Sequence, residues 1–291
     1  MIVDSTFLSP FYITPLIPNS QNSPPLADIV LTSLSKYSGG HSDIILGSLT
    51  VSSATRHLRP DLLKGLRFLQ NSMGAAASPR DCHLMARSLK TLGVRMAKHG
   101  LNALRLAEWL TTRPEVDRVR YPGLRTDGAF HMVENLLSRN ARKELEFLGW
   151  TFPYRPKDTP REVGTLEHVQ TMGIPFGGMI TFGLKGATAE ETDKFVTRLK
   201  LIVLAESLGG VESLVEVPYG MTHSVSGSRC MGRDLLIHWI GSPRGDSSGT
   251  RDHSKSHSLL GRDRGCGRSH RRPRGWVSSP QGIDAVDFID A

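Results

Sequence analysis

Thr32-Ser33-Leu34-Ser35-Lys36-Tyr37-Ser38-Gly39-Gly40-His41-Ser42-Asp43 is the stretch on which the fold turns. It continues the run ADIVLTSL (27–34), short, apolar and partly β-branched, as a buried parallel strand requires. Open α/β sheets place their ligands just past the carboxyl ends of such strands, which is where Lys36 falls. A desolvated amine is a good nucleophile toward a carbonyl carbon and can form a Schiff base. Ser33 and Ser35 alternate with Lys36 and offer hydroxyls to a phosphate, while Gly39-Gly40 permits close backbone approach.

A second apolar run, IVDSTF (2–7), brings a carboxylate to the same kind of position. Asp4, at the end of Ile2-Val3, is expected to be buried and so to need a cationic partner. A protonated pyridine nitrogen is one such partner. A lysine Schiff base with an Asp partner for the ring nitrogen is the signature of pyridoxal phosphate chemistry. Each piece also has a plainer reading: Lys36 as a solvated lysine, Gly40–Asp43 as a turn and helix cap, and Asp4 as a strand-end cap.

Composition narrows the classes. At 291 residues with 38% hydrophobic content the chain can hold one large domain or two ordinary ones, though not a core along its whole length. No apolar stretch approaches the roughly 20 residues of a membrane span, and the first residues lack a basic leader. Three distant cysteines, Cys82, Cys230 and Cys266, give neither a disulfide framework nor zinc spacing, so no metal is expected. The chain reads as reduced, soluble and cytoplasmic. Its net charge of +8 comes mostly from residues 242–282, where nine Lys/Arg face three Asp. Arginine-rich segments can bind phosphate backbones, but no interleaved aromatic residues accompany these, which disfavours nucleic acid as a partner.

Patterning divides the chain. Residues 15–25 hold turn formers. From Pro79 to Arg113, Leu84, Leu89, Leu92, Met96, Leu101, Leu104 and Leu110 recur at helical intervals, with Ser78 as N-cap and Pro114 as the stop. This series and Met73 are expected in the core. A strand over 116–121, a polar helical segment over 129–149, a strand over 177–184, a helix over 188–200 capped by Thr188, and a strand over 201–205 follow. Residues 226–291, rich in Gly, Ser, Arg and Asp, lose hydrophobic periodicity after Trp239-Ile240 and read as mostly disordered. The resulting partition is 1–115, part of a large domain; 116–240, a small α+β domain; and 241–291, a basic tail.

Six segments in order, VDSTFLSPFYITPL, ADIVLTSLSKYSGGHSDIILG, LRFLQNSMGAAASPRDCHLMARSLKTLGVRM, YPGL, GGMITFGLKG and LKLIVLAESLGGVESLVEVPYGMTH, resemble the trans-sulfuration family of pyridoxal-phosphate enzymes. That family includes cystathionine γ-lyase, cystathionine γ-synthase and methionine γ-lyase. The resemblance covers about residues 1–225 and is closest to the fungal cystathionine γ-lyase-like members. It implies an α/β, aminotransferase-like (fold type I) large domain, incomplete here, followed by the smaller α+β domain. It implies pyridoxal 5'-phosphate as cofactor, Lys36 as the lysine that binds it and shuttles protons, and Asp4 as partner of the ring nitrogen. Ser33 and Ser35 match positions that contact the cofactor phosphate, and Ser207 matches a serine beside substrate and lysine. Glu206 and Glu212 lie in that last segment too and have an equally good structural reading. His41 and Asp43 are read as holding the turn, Arg87 and Lys90 as orienting their helix.

Implied function is cleavage of cystathionine to cysteine, 2-oxobutanoate and ammonia, the alternatives being a γ-synthase-like transferase and an inactive family fragment. Family members place about half of the large domain before the point matched by Met1, including the phosphate turn, the stacking aromatic and the residues that reach a neighbouring subunit. Homo-oligomerisation is expected of complete members. Toward the other end, Leu235–Ile240 occupies the place of a strand whose Arg grips the substrate carboxylate, and His238 is a poor substitute. The change of composition after residue 225 is of the kind that a shifted reading frame or retained intron produces.

Overall fold

Parallel pairing of two short runs 27 residues apart sets the first layer of the structure. In the computed structural model, which describes residues 1–18, 23–155, 165–218 and 234–238, β1 (Ile2–Asp4) pairs in parallel with β2 (Ile29–Ser33). Antiparallel β3 (Gly47–Val51) completes a three-stranded sheet of order β1-β2-β3. Ile29 and Val30 are buried, as a central strand demands. β1 is the edge, so the IVDSTF run is not fully buried: Ile2 is 68% exposed and Asp4 is exposed as well.

α1 (Ser9–Tyr12) follows β1. After β3 come α2 (Ser53–Leu58) and α3 (Pro60–Ser72), elements to which the sequence patterning assigned nothing. α3 buries none of its residues, and Met73 beyond it is 72% exposed, against its expected place in the core. The stretch read as one helical pattern from Pro79 to Arg113 is two helices, α4 (Pro79–Leu89) and α5 (Leu92–Thr111). Between them the Thr91 hydroxyl donates to Ser88 O at 3.1 Å, a local bond that competes with helix continuation. Ser78 caps α4 as expected, accepting from the Asp81 N–H. Leu89 is 46% exposed at the break, whereas Leu92, Met96, Leu104 and Leu110 are buried.

α5 is the spine. Its 20 residues span about 30 Å. It packs against α1, the Lys36 turn, β4 (Val116–Arg120), α7 (Arg139–Phe147), α8 (Leu166–Met172) and β5 (Met179–Leu184). Leu104 and Leu110, fully buried on it, each contribute about 1.5–3 kcal/mol of transfer free energy. Close approach is possible because Gly100 leaves room for the Tyr12 hydroxyl, which donates to Met96 O at 3.1 Å.

β4 and β5 belong to a five-stranded sheet of order β4-β5-β8-β7-β6, with β6 (Val203–Leu204), β7 (Leu214–Glu216) and β8 (Asp234–His238). The strand expected over 201–205 is reduced to β6, and β8 is a central strand inside the segment read as mostly disordered. Its Leu235 and Ile237 are buried against neighbours on both sides, a tertiary gain that composition cannot register. The polar segment 129–149 is broken into α6 (Phe130–Leu136) and α7. Ser138 makes the break: its hydroxyl caps α7 at Ala141 N (3.0 Å) and donates to Phe11 O, and its N–H bonds Tyr12 O at 2.7 Å. α9 (Ala189–Arg198) carries the expected cap as a full capping box between Thr188 and Glu191. Met1–Gly241 gather into one compact unit; Ser242–Ala291, read as a basic tail, lie outside the described residues.

Candidate active site

The C-terminal ends of β1 and β2 are stitched by hydroxyls. Ser5 and Thr32 share a buried hydrogen bond at 3.0 Å, and the Ser33 N–H donates to Thr6 Oγ1 at 2.9 Å. This places Asp4 and Ser33 at the same end of the parallel pair, where open α/β sheets bind ligands. Asp4 accepts the Thr6 N–H at 2.9 Å, a local turn bond. It is exposed rather than buried, because β1 has no neighbour on its outer side among the described residues.

Beyond Ser33 the chain turns through Leu34–Ser38, a π-type turn interrupted at Lys36 (φ −87°, ψ −131°). The N–H groups of Leu34 and Ser35 both bond Leu46 O, at 2.8 and 3.2 Å. The Ser35 hydroxyl accepts the Leu46 N–H at 2.9 Å and donates to Leu46 O at 3.4 Å. Ser35 therefore anchors the turn to β3's approach. Among the described residues the Ser33 hydroxyl makes no hydrogen bond.

Lys36 is half-buried, and its Nζ donates to Ser207 Oγ at 3.3 Å across 171 residues of sequence. The loop that delivers Ser207 presses on the lysine turn. Gly209 (φ +85°) lies so close that a Cβ there would overlap the Tyr37 amide and stand 2.5 Å from Lys36 C. From the other side Arg95, on α5, donates to Tyr37 O at 2.6 Å and to Ser38 O at 3.1 Å. Its guanidinium is half-buried, and that burial pulls it below its usual value. Arg95 was missed by the sequence reading, which weighed Arg87 and Lys90 instead; both of these are exposed. The only signal for it was its place at the end of the run LKTLGVRM (89–96).

Under the turn Tyr37 is fully buried, its ring edge-on to His99 with centroids 5.0 Å apart. Burial first, with nearby Tyr121 adding to it, pushes the Tyr37 hydroxyl well above the ordinary phenol range. His41 bonds Gly39 O at 2.7 Å and so holds the turn, as read. Glu206, Glu212 and Asp43 are exposed. The structure thus brings Lys36, Ser207, Ser33 and Ser35 to one end of the sheet, with Asp4 on its open edge. Arrangement of an amine, hydroxyls and a carboxylate in this way is suited to holding and moving protons beside an electrophilic carbonyl group.

Comparison with known proteins identifies the family of the chain. Cystathionine gamma-lyase of Macaca fascicularis is 40% identical over 224 residues, covering 77% of this chain and 43% of that protein. The Dictyostelium discoideum cystathionine gamma-lyase is 37% identical over 224 residues (77% and 45%). Cystathionine beta-lyase of Lactococcus lactis is 36% identical over 223 residues (77% and 45%). The chain therefore spans less than half the length of these relatives, and matches spread over mammals, a slime mould and a bacterium do not single out the fungal branch. Among solved structures, metB from Corynebacterium glutamicum and cystathionine gamma-lyase from yeast each align with TM-score 0.60 and 36% identity over 83% of this chain and 51% of theirs. The expected α/β, fold type I architecture is the one they share. The family described as Cys/Met metabolism PLP-dependent enzyme matches residues 1–146 and 161–230, and the chain belongs to it.

Proposed function

We propose that this chain carries the lysine side of the active site of a pyridoxal-phosphate-dependent carbon–sulfur lyase of trans-sulfuration, acting on cystathionine or a related amino acid. The observation that carries the reading is the bond from Lys36 Nζ to Ser207 Oγ, which joins the two residues expected beside cofactor and substrate.

The residues fit pyridoxal phosphate by the chemistry of their donors. Lys36 supplies the amine that holds the cofactor's aldehyde carbon, and Asp4 the carboxylate for its ring nitrogen. The Ser33 hydroxyl has no competing partner among the described residues. Ser35 spends its hydrogen on a bond of 3.4 Å, long enough to yield to a phosphate oxygen. When bound, the cofactor supplies an electron sink for bonds broken at the substrate's α-carbon.

Everything else belongs to the chain. The Lys36 amine would accept the α-proton and carry it along the substrate. Ser207 accepts from that amine and fixes its direction. Asp4 keeps a proton on the ring nitrogen. The net reaction takes cystathionine and water to cysteine, 2-oxobutanoate and ammonia. A partition at 115/116 belongs to the same proposal, supported by the two sheets falling on either side of that point. So does association with further copies, supported by exposed Ile2, Leu31 and Leu49 on the smaller sheet. A cytoplasmic location goes with it; among the described residues no helix is long and apolar enough to cross a membrane.

Exposure of Asp4 favours a second reading, in which the chain holds the cofactor without turning substrate over. The test is incubation of the purified chain with pyridoxal phosphate and cystathionine, following 2-oxobutanoate. Release of 2-oxobutanoate marks the lyase. In a second incubation with cysteine and an O-acylated homoserine, formation of cystathionine with release of the acyl group as its carboxylate marks the γ-synthase-like transferase, and labelled Lys36 with neither product marks the second reading.

A further inference from the structure

The lysine turn is held from two sides, and one holder is a charged side chain that the chemistry above does not use. Arg95 Nη1 donates to Tyr37 O at 2.6 Å, and Nη2 donates to Ser38 O at 3.1 Å. The same guanidinium is anchored on its own side, Nη2 to Ser88 O at 3.0 Å and Nε to Thr91 Oγ1 at 3.2 Å. Four acceptors from two chain segments thus converge on one planar fork, a geometry that a lysine ammonium cannot reproduce. No carboxylate pairs with Arg95 among the described residues, so its donors are spent on these acceptors.

The turn is shaped to receive it. Gly40 (φ +71°) lies against the guanidinium so closely that a Cβ there would overlap Nη1 and stand 2.7 Å from Cζ. Opposite, Gly209 closes on the Lys36–Tyr37 peptide. The loop bearing Ser207 therefore closes on the peptide that follows Lys36, and α5, through Arg95, holds the carbonyls of the two residues after it. A lysine amine hangs from four rotatable bonds, so packing controls its position chiefly through its root.

We propose that Arg95 is a positioning residue for Lys36: by gripping the Tyr37 and Ser38 carbonyls it fixes the root of Lys36, so that Nζ stays on Ser207 and selectively captures the cofactor's aldehyde. This rests on the lysine reading above, and the test separates the two. The purified full chain is compared with Arg95→Ala and with Thr91→Val, which removes one anchor of the guanidinium at an exposed position. Fold is checked by circular dichroism. Pyridoxal phosphate with borohydride reads capture, and acetic anhydride, which needs no cofactor site, reads the reactivity of each lysine by mass spectrometry.

In folded Arg95→Ala the share of pyridoxyl label on Lys36 falls about tenfold, and its acetylation relative to exposed Lys143 rises about tenfold as the amine leaves Ser207. Added methylguanidine reverses both, which a purely structural loss would not allow. Thr91→Val moves both readouts the same way by about twofold and decides the matter if Arg95→Ala does not fold. Absence of selective pyridoxyl label in the unsubstituted chain counts against the functional reading alone, since acetylation still reports on Arg95. Unchanged Lys36 label and acetylation in the folded variants, or changes that methylguanidine does not reverse, overturn the proposal.

Discussion

Lys36 and Ser207 stand 171 residues apart in the chain, yet the lysine amine donates to the serine hydroxyl at 3.3 Å. The loop carrying Ser207 owes this approach to Gly209, whose positive φ and missing Cβ let it lie on the peptide after Lys36. If the bond directs the amine, Ser207→Ala leaves the fold intact and lowers pyridoxyl labelling of Lys36 by about two- to tenfold. Labelling of Lys36 by peptide mass spectrometry, beside a circular dichroism spectrum, checks this.

Gly209 gives a sharper expectation. A side chain at φ +85°, forced against the Lys36–Tyr37 peptide, costs about 2 kcal/mol, so Gly209→Ala melts about 4–8 °C lower. It also displaces Ser207 and removes selective labelling of Lys36. Gly128→Ala is the contrast: no atom lies within 4 Å of its added Cβ, and its melting temperature stays within about 1 °C.

Acid sensitivity follows from Asp127. Burial alone would raise its carboxyl, but Arg120 Nε at 2.9 Å and the N–H groups of Ala129 and Tyr121 at 2.8 and 3.0 Å outweigh that and hold it below the ordinary value. A depressed folded value means that the stabilisation is complete above the unfolded value, near pH 4, and is lost as pH falls through the folded one. Resistance of the chain to denaturant therefore weakens in acid, while Asp127→Asn shows a flatter pH dependence. At neutral pH the Asn variant is less stable by about 1–3 kcal/mol, since it replaces the charge that Arg120 bonds.

Helix capping offers a local test in α9. Thr188→Ala removes the hydroxyl that accepts from the Glu191 N–H, leaving only the backbone arm of the capping box, and lowers stability by about 1 kcal/mol, about 2–4 °C in melting temperature. Thr188→Ser keeps the hydroxyl and restores most of it.

What the sequence disclosed depended on the range of the forces involved. The Thr188 cap and the Ser78 cap were legible because one side chain satisfies backbone groups three residues away. β2 was legible because a central strand carries apolar residues on consecutive positions, here Ile29, Val30 and Leu31, though it pairs in parallel with β1 alone. Lys36 and Ser207 were named from the quoted segments, but their contact depends on Gly209, whose conformation no periodicity reports. The burial expected for Asp4 required a neighbour beyond β1, a matter of sheet position rather than of local pattern. Likewise the breaks at Thr91 and Ser138 come from single hydroxyls bonding backbone carbonyls, inside stretches whose apolar spacing stays helical. Arg95 resembled its neighbours Arg87 and Lys90 in sequence; only tertiary structure shows which one meets the turn.

The most direct test of the account is capture of the cofactor by the purified chain. Pyridoxal phosphate is added, borohydride fixes what has formed, and the modified peptide is located by mass spectrometry, with Lys36→Ala alongside. The account predicts near-stoichiometric label on Lys36 and its loss in the variant. Label scattered over many lysines, unchanged by Lys36→Ala, would contradict it.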